Sequence, residues 1–488
     1  MGLAFVPLYI KYMGIEAYGL VGLFALLQSW LALLDVGLTP ALSREMARYE
    51  AGFHTPQSIC NLMRSIERVY FGIAASVVIT VLLGATWLST NWVHTEKLAT
   101  LTVKNALAVT GFVIGLRWLS TLYRSALYGL QHQVWLNYCG ALFSTVRSVG
   151  SIVVLAFVSP NIVTFFVYQS IVIGLETLAL AIRVRQLLPT PPTPARFSWR
   201  ELHKIWRFAA GMAIITLLSI LLMQADKLVL SKILSLSDFG YYALASTVAG
   251  ALGLVIAPIS NAVYPRVTEF VVRGESDSLA RAYHNFAQML TLMVVPASIV
   301  LSLFARHVLL LWTRDLRTTD QTASLVSVLV IGVMLNGLMH TPYTLQLAHG
   351  WTRFMVVVNT IAVVIVIPSI YIGVRAYGPI CAAYIWTLLN AAYILVAVPM
   401  MHRRLLPAEM WRWYGQDVIV PGLAAFCAAA LARLLAPLPM LGAPFVSALV
   451  LGLAAAASLS AAVLATPLGR EGLRRYVWPL LTITRIRK

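Results

Sequence analysis

Three arginines, Arg117, Arg124 and Arg147, each stand inside a long run of apolar residues. A guanidinium keeps its charge when buried, and its planar fork of N–H donors matches a phosphate or carboxylate in bidentate fashion. Arg117 and Arg124 are seven residues apart, so a helix places them on one face. Tyr128 extends that face, with Tyr123 and Gln131 beside it. Arg44 lies in a basic amphipathic segment nearer the start. Arg117, Arg124, Arg147, Arg44 and Tyr128 are therefore the candidates for holding an anionic substrate such as a pyrophosphate or an acidic sugar, with Trp118 and Trp135 available to stack on a sugar face. Embedded carboxylates form a second group. Asp35 ends the second apolar run, Glu176 lies in the sixth, and Asp226-Lys227 lie late in the seventh. A desolvated carboxylate can take up and release a proton, so Asp35, Glu176, Asp226 and Lys227 are candidates for ion coupling or gating. The plainer alternative has Arg124 reaching for the interface and Asp226 pairing with Lys227.

What must position these groups is set by the solvent. The chain has 488 residues, 60% of them hydrophobic and 11% charged, with mean hydropathy +0.82. Soluble domains carry roughly 25% charged residues, so this chain cannot cover a water-facing surface. Inside a bilayer every backbone polar group needs a partner within its own element or barrel. Long apolar runs, rather than short alternating ones, select helices.

Fourteen such runs can be placed. A short one ends at Lys11, and the next are Ala17–Leu38, Val69–Leu88, Asn105–Leu127, Tyr138–Val158 and Ile162–Ile182. The later ones are Phe208–Leu230, Tyr241–Val263, Phe286–Leu311, Ser324–Leu347, Phe354–Ile372, Pro379–Met400, Ile419–Leu435 and Phe445–Ala465. The first is too short to cross a membrane, and it lacks the basic segment and cleavage site of a signal peptide. The expectation is that an upstream half-helix is missing. The fold class expected is an all-α polytopic membrane protein, with two six-helix lobes related by a pseudo-twofold axis and two extra C-terminal helices.

The midpoint carries Pro189-Thr-Pro-Pro-Thr-Pro194, which cannot be helical, followed by Trp199–Trp206, which reads as an interfacial amphipathic helix. The expected divisions are a front lobe over 1–182, a cytoplasmic linker over 183–207, a back lobe over 208–400, and a last pair of spans with a basic tail over 401–488. Glu16-Ala-Tyr-Gly19 answers Ser237-Asp-Phe-Gly240 at an offset of 221 residues, which suggests an internal repeat. Ala-rich segments in the last two runs suit close helix packing.

The net charge of +18 reads as topology rather than as nucleic-acid binding. Alternating the runs from a cytoplasmic Leu42–Arg68 loop puts 23 Lys and Arg on the cytoplasmic side and seven opposite, with the C-terminus cytoplasmic. Basic segments there also suit anionic lipid headgroups. The four cysteines are scattered with no paired spacing, and His340 has no second ligand at helical spacing. There is no P-loop, GxSxG, HExxH or DxD motif, and the segments between runs on the outer side are short. No cofactor is implied, and a transporter fits better than an enzyme.

Several segments carry a family resemblance. They are Pro7-Leu-Tyr-Ile-Lys-Tyr-Met-Gly-Ile-Glu-Ala-Tyr-Gly-Leu20, Asp35-Val-Gly-Leu-Thr-Pro40, Ser43-Arg-Glu45, Tyr128-Gly-Leu-Gln131 and Gln224-Ala-Asp-Lys-Leu-Val-Leu-Ser231. Together they resemble the polysaccharide transporter family, the Wzx-type flippases of the multidrug/oligosaccharidyl-lipid/polysaccharide exporter superfamily. The resemblance implies two lobes around a central cavity that opens alternately to each side of a bacterial inner membrane. It implies an undecaprenyl-pyrophosphate-linked glycan as substrate, for O-antigen, capsule or exopolysaccharide, with a polysaccharide polymerase and a chain-length regulator as partners. A peptidoglycan-precursor flippase and a cation-coupled multidrug exporter are the competing readings. The latter calls for an acidic or aromatic cavity rather than embedded arginines.

Overall fold

The computed structural model describes residues 2–31, 38–50, 52–436 and 444–472. Among them every regular element is a helix, apart from one isolated bridge between His94 and Ser235. Among the described residues, each of the fourteen apolar runs lies on helical structure. Ten helices among the described residues are long and apolar enough to cross a bilayer, or eleven when a pair bent by 40° is taken as one span. The other three runs lie on helices near the start and on one long helix after the Pro-rich segment. The chain is an all-α multi-pass membrane protein. It divides into two compact units, Met1–Gly240 and Tyr241–Lys488.

The first unit contains α1 (Gly2–Met13), α2 (Ile15–Leu31), α3 (Leu38–Glu50), α4 (Pro56–Trp87), α5 (Thr100–Gly129), α6 (Gln133–Phe157), α7 (Ile162–Leu187), α8 (Trp199–Ile233) and the first residues of α9 (Leu236–Gly250). α4 starts where Thr55 accepts a hydrogen bond from Ser58 N at 3.2 Å, with Pro56 in the first turn, where its missing N–H costs nothing. α5 packs against α3, α4 and α7 and is the most buried of the described spans. The core around it holds Tyr70, Leu122, Tyr123, Ala126, Leu180 and Val184. α6 is different. Val134, Tyr138, Leu142, Val146, Val153 and Phe157 recur every three to four residues or a multiple of that and are exposed, a stripe that faces lipid. The opposite side of α6 carries Arg147, Ser148 and Ser151.

The Pro-rich segment is irregular, as proline requires, and is strapped to α4. Thr193 N donates to Gln57 Oε1 at 3.1 Å, Arg196 N to Asn61 Oδ1 at 2.9 Å, and Ser198 N to Ser65 Oγ at 2.7 Å. The segment expected as an amphipathic helix is helical and runs on into the seventh apolar run. Trp199–Trp206 forms the first two turns of α8, which continues unbroken to Ile233. Ser198 caps that helix on Glu201 N, and nothing between there and the apolar run breaks it.

Glu16, only 5% exposed, accepts from the backbone N–H groups of Glu96, Lys97 and Leu98 at 2.7–3.2 Å. That fixes the segment leading into α5. Close by, the two repeat motifs meet. A Cβ on Gly19 would overlap the Leu236 carbonyl, and a Cβ on Gly240 would come within 2.5 Å of the Ile15 carbonyl. Ile15 and Leu236 are separated by the same 221 residues as the two glycines. The contact is thus reciprocal.

The second unit holds the rest of α9, then α10 (Gly253–Arg273), α11 (Ser276–Leu303), α12 (Ala305–Thr313), α13 (Leu316–Ala348), α14 (Thr352–Tyr377), α15 (Ile380–Ala392), α16 (Val398–Leu405), α17 (Met410–Arg412), α18 (Val420–Leu435), α19 (Pro444–Ala465) and α20 (Pro467–Gly472). α11 packs against α13, α18 and α19. The expected close packing of the Ala-rich pair is present. Ala425, Ala429, Ala454 and Ala462 are fully buried, and Ser458 Oγ donates to the Ala425 carbonyl at 3.0 Å.

Candidate functional site

α5, α6 and α7 bring four charged side chains together, with Arg117, Arg147 and Glu176 near the midpoints of their helices and Arg124 in the last third of α5. Glu176 on α7 is 5% exposed in its side chain and accepts from two guanidiniums. Arg124 on α5 holds one carboxylate oxygen, and Arg147 Nη1 on α6 donates to the other at 3.1 Å. Arg117 lies two turns along α5 from Arg124, within the electrostatic reach of Arg147, Glu176 and Arg124. Its guanidinium sits 5.6 Å from the centre of the Phe24 ring of α2. Arg117 Nε is buried and without a hydrogen-bond partner among the described residues.

The surroundings hold these groups in place. Thr177 Oγ1, next to Glu176, donates to the Leu116 carbonyl, next to Arg117, at 3.2 Å. Gln169 Nε2 on α7 donates to Ser151 Oγ on α6 at 3.0 Å, and Tyr9 OH on α1 donates to the Ser148 carbonyl at 3.3 Å. Arg124 rests against Gly140, where a Cβ would lie 3.7 Å from its guanidinium nitrogens.

The balance of charge decides what this arrangement can bind. Three guanidiniums face one carboxylate, which leaves two positive charges in excess. Arg124 and Arg147 keep 33% and 22% of their side chains exposed. The site can therefore accept an anion with two or more negative charges, and it repels cations. An incoming phosphate would compete with Glu176 for the same N–H donors.

Arg44 is exposed on α3, and Tyr128 is 48% exposed near the end of α5. Asp226 is buried on α8. Lys227 donates to Gln224 Oε1 at 3.3 Å along the same helix. Asp35 lies outside the described residues. Tyr123, read as a flank of the arginine face, instead donates to Glu67 of α4 at 2.7 Å. Glu67 also pairs with Arg64 at 2.9 Å and Arg185 at 3.5 Å, beside a cavity of about 350 Å³ that includes Cys60, Leu188 and Pro191. Glu67 was legible only as the i+3 partner of Arg64. Among the described residues no group of His, Cys, Asp and Glu could hold a metal ion.

The model of the polysaccharide biosynthesis protein family matches residues 1–271, more than half of the chain. The chain belongs to this family. A second model, for MatE, matches residues 212–372. The family member is 20% identical over 380 residues to the "Putative O-antigen transporter" of Shigella flexneri, covering 77% of this chain and 87% of that one. Among solved structures it is similar to the lipid II flippase MurJ in an inward closed conformation, with TM-score 0.70 and 14% identity over 93% of this chain and 95% of the other. It is also similar to an inward-facing multidrug resistance MATE family transporter of the MOP superfamily, with TM-score 0.67 and 14% identity over 84% and 94%. The fold is thus of the exporter-superfamily type that the sequence resemblance implied.

Proposed function

We propose that this protein moves a polyprenyl-pyrophosphate-linked oligosaccharide unit from the inner to the outer leaflet of a bacterial cytoplasmic membrane, by alternating access and at the expense of an ion gradient. The observation that carries the reading is the Arg124–Glu176–Arg147 bridge with Arg117 beside it, a site of excess positive charge within apolar, membrane-length helices of a polysaccharide biosynthesis family. Without substrate, Glu176 holds the two guanidiniums and offsets part of their charge. A pyrophosphate entering the site displaces the carboxylate and takes the bidentate positions. The polyprenyl tail stays in lipid, where it needs no site of its own.

Positive excess argues against an organic cation as cargo, because a like charge in a desolvated site is strongly unfavourable. The family match and the O-antigen relative favour a polysaccharide repeat unit over a peptidoglycan precursor. Arg44 and Tyr128 are proposed to guide the headgroup, and Asp35, Asp226 and Lys227 to serve gating or coupling. The cytoplasmic C-terminus, from the charge asymmetry of the connecting segments, belongs to the same proposal, as do a polymerase and a chain-length regulator as downstream partners.

The test is to extract lipid-linked glycans from cells lacking the gene. Accumulation of undecaprenyl-pyrophosphate glycans with headgroups inaccessible from outside, together with loss of surface polysaccharide, is expected. Unchanged lipid intermediates with altered sensitivity to cationic drugs would overturn the proposal in favour of a multidrug exporter.

A further inference from the structure

The second unit buries a titratable cluster that the proposed transport site does not use. His284 on α11 is 1% exposed and stands between two carboxylates. Its Nδ1 meets Asp417, which is fully buried, and its Nε2 meets Glu409 Oε2 at 2.8 Å. An ionised carboxylate can only accept hydrogen bonds, whereas a neutral imidazole carries one donor and one acceptor. Both contacts are therefore satisfied only when one extra proton is present, either as an imidazolium or on one of the carboxyls. Removing it sets two acceptor lone pairs against each other in a buried site, which costs far more than it would in water.

The neighbours do not supply that proton. Arg412 Nη1 lies 3.6 Å from Glu409 Oε2, the same oxygen that His284 Nε2 meets, and a guanidinium there favours the ionised Glu409 without giving up a proton. Gln288 Nε2 donates to Asp417 Oδ1 at 2.7 Å, while its Oε1 accepts from Leu468 N of α20 at 2.8 Å, so the amide orientation is set from both ends. Asp417 Oδ1 is thereby an acceptor. His402 on α16 is satisfied as a neutral ring, since its Nδ1 donates to the Val398 carbonyl at 3.0 Å and its Nε2 accepts from Tyr283 OH at 3.1 Å. Tyr283 packs edge-on to His284, Tyr414 bonds the Ile394 carbonyl, and Arg404 lies over the Trp351 ring at 4.3 Å.

The backbone that carries the two carboxylates is irregular. Glu409 lies in a 3₁₀ turn, Pro407–Glu409, and Asp417 in a π-helical stretch, Trp413–Ile419, that leads into α18. Such segments have hydrogen bonds of poorer geometry than an α-helix and rearrange at low cost. Through Asp417 and Gln288 the cluster joins α11 to the entrance of α18 and to α20, which follows α19.

We propose that His284, Asp417 and Glu409 form a one-proton site that docks segment 407–419, and with it the α18–α19 pair, onto α11, and that release of the proton undocks it. The device does not depend on the identity of the transported molecule. Hydrogen–deuterium exchange of the intact protein in lipid nanodiscs, over about pH 5 to 9 and corrected for intrinsic exchange rates, tests it. In the wild type, protection of peptides within 407–419 should fall roughly tenfold per pH unit above the midpoint, the slope for one linked proton. Peptides from α5 should show no such slope.

Two variants are expected to flatten the profile in opposite directions. His284→Gln has no ring to carry the proton between the two carboxylates, so protection is low over the range measured. Asp417→Asn lets a neutral His284 accept from the new amide and donate to Glu409, so protection is high throughout. A flat wild-type profile, or a slope unchanged in either variant, would overturn the proposal. Should one variant fail to fold, the wild-type slope and the other variant still decide.

Discussion

Arg147 donates to Glu176 across 3.1 Å from one helix while Arg124 holds the other oxygen of the same carboxylate from a second. On the proposed function, Glu176 keeps the place of the substrate's anion. Replacing it with Gln removes one negative charge and leaves the shape. Binding of a water-soluble pyrophosphate-sugar analogue should tighten about tenfold, equivalent to about 1.4 kcal/mol. Thermal stability should fall, because each charge-assisted hydrogen bond contributes about 1.5–3 kcal/mol. Calorimetric titration and a melting curve on the same preparation check both. Unchanged or weaker binding would argue that Glu176 helps hold the substrate rather than keeping its place.

Arg117→Ala and Arg147→Ala should each reduce surface glycan at least tenfold without lowering the amount of protein in the membrane. The Lys variants separate charge from shape. Arg147→Lys keeps the charge but loses the planar fork, so recovery should be partial if bidentate contact matters and nearly full if charge alone does. Quantifying surface polysaccharide beside an immunoblot decides between them. Normal glycan in both Ala variants would remove the cationic-site reading.

How much of this was legible in the sequence differs between fold and site. Among the described residues the apolar runs are helical because in lipid the backbone has few other ways to satisfy itself. Arg117, Arg124, Arg147 and Glu176 were visible because charge within an apolar run carries a desolvation cost that few positions tolerate. Their pairing was not visible, since it depends on how α5, α6 and α7 are rotated about their axes. Tyr128 shares the helical face of Arg124, yet it stands half exposed near the helix end, while Leu127 and Leu130 on either side of it are buried in the core. Asp417 was missed because it falls two residues before an apolar run and reads there as an interfacial charge. Only the fold brings His284 to it from 133 positions away.

The reciprocal contact of Gly19 with Leu236 and of Gly240 with Ile15 makes a symmetric prediction. Gly19→Ala and Gly240→Ala each place a methyl against a backbone carbonyl that cannot move as a side chain can. Each should destabilise the protein by about 1–3 kcal/mol, the usual range for overpacking. Because the first substitution already separates the two backbones, the second should add little. A double-mutant cycle read by thermal unfolding in detergent checks this, and simple additivity would show the two contacts to be independent.

Asp315 offers a pH prediction outside the spans. It caps α13, accepting from Thr318 N at 2.9 Å. Hydrogen bonding with Thr318 pulls its carboxyl below the ordinary range, against a smaller opposing effect of burial. A carboxyl depressed in the folded state stabilises above its unfolded pKa, and that contribution disappears as pH falls through the folded value. Asp315→Ala should therefore cost about 1 kcal/mol at neutral pH, as loss of a cap does. The deficit should shrink toward acid, once the wild-type carboxyl is protonated as well. Melting temperatures of both proteins over a falling pH series test this. A gap that stays constant down to the most acid point would mean that Asp315 contributes through its shape and not through its charge.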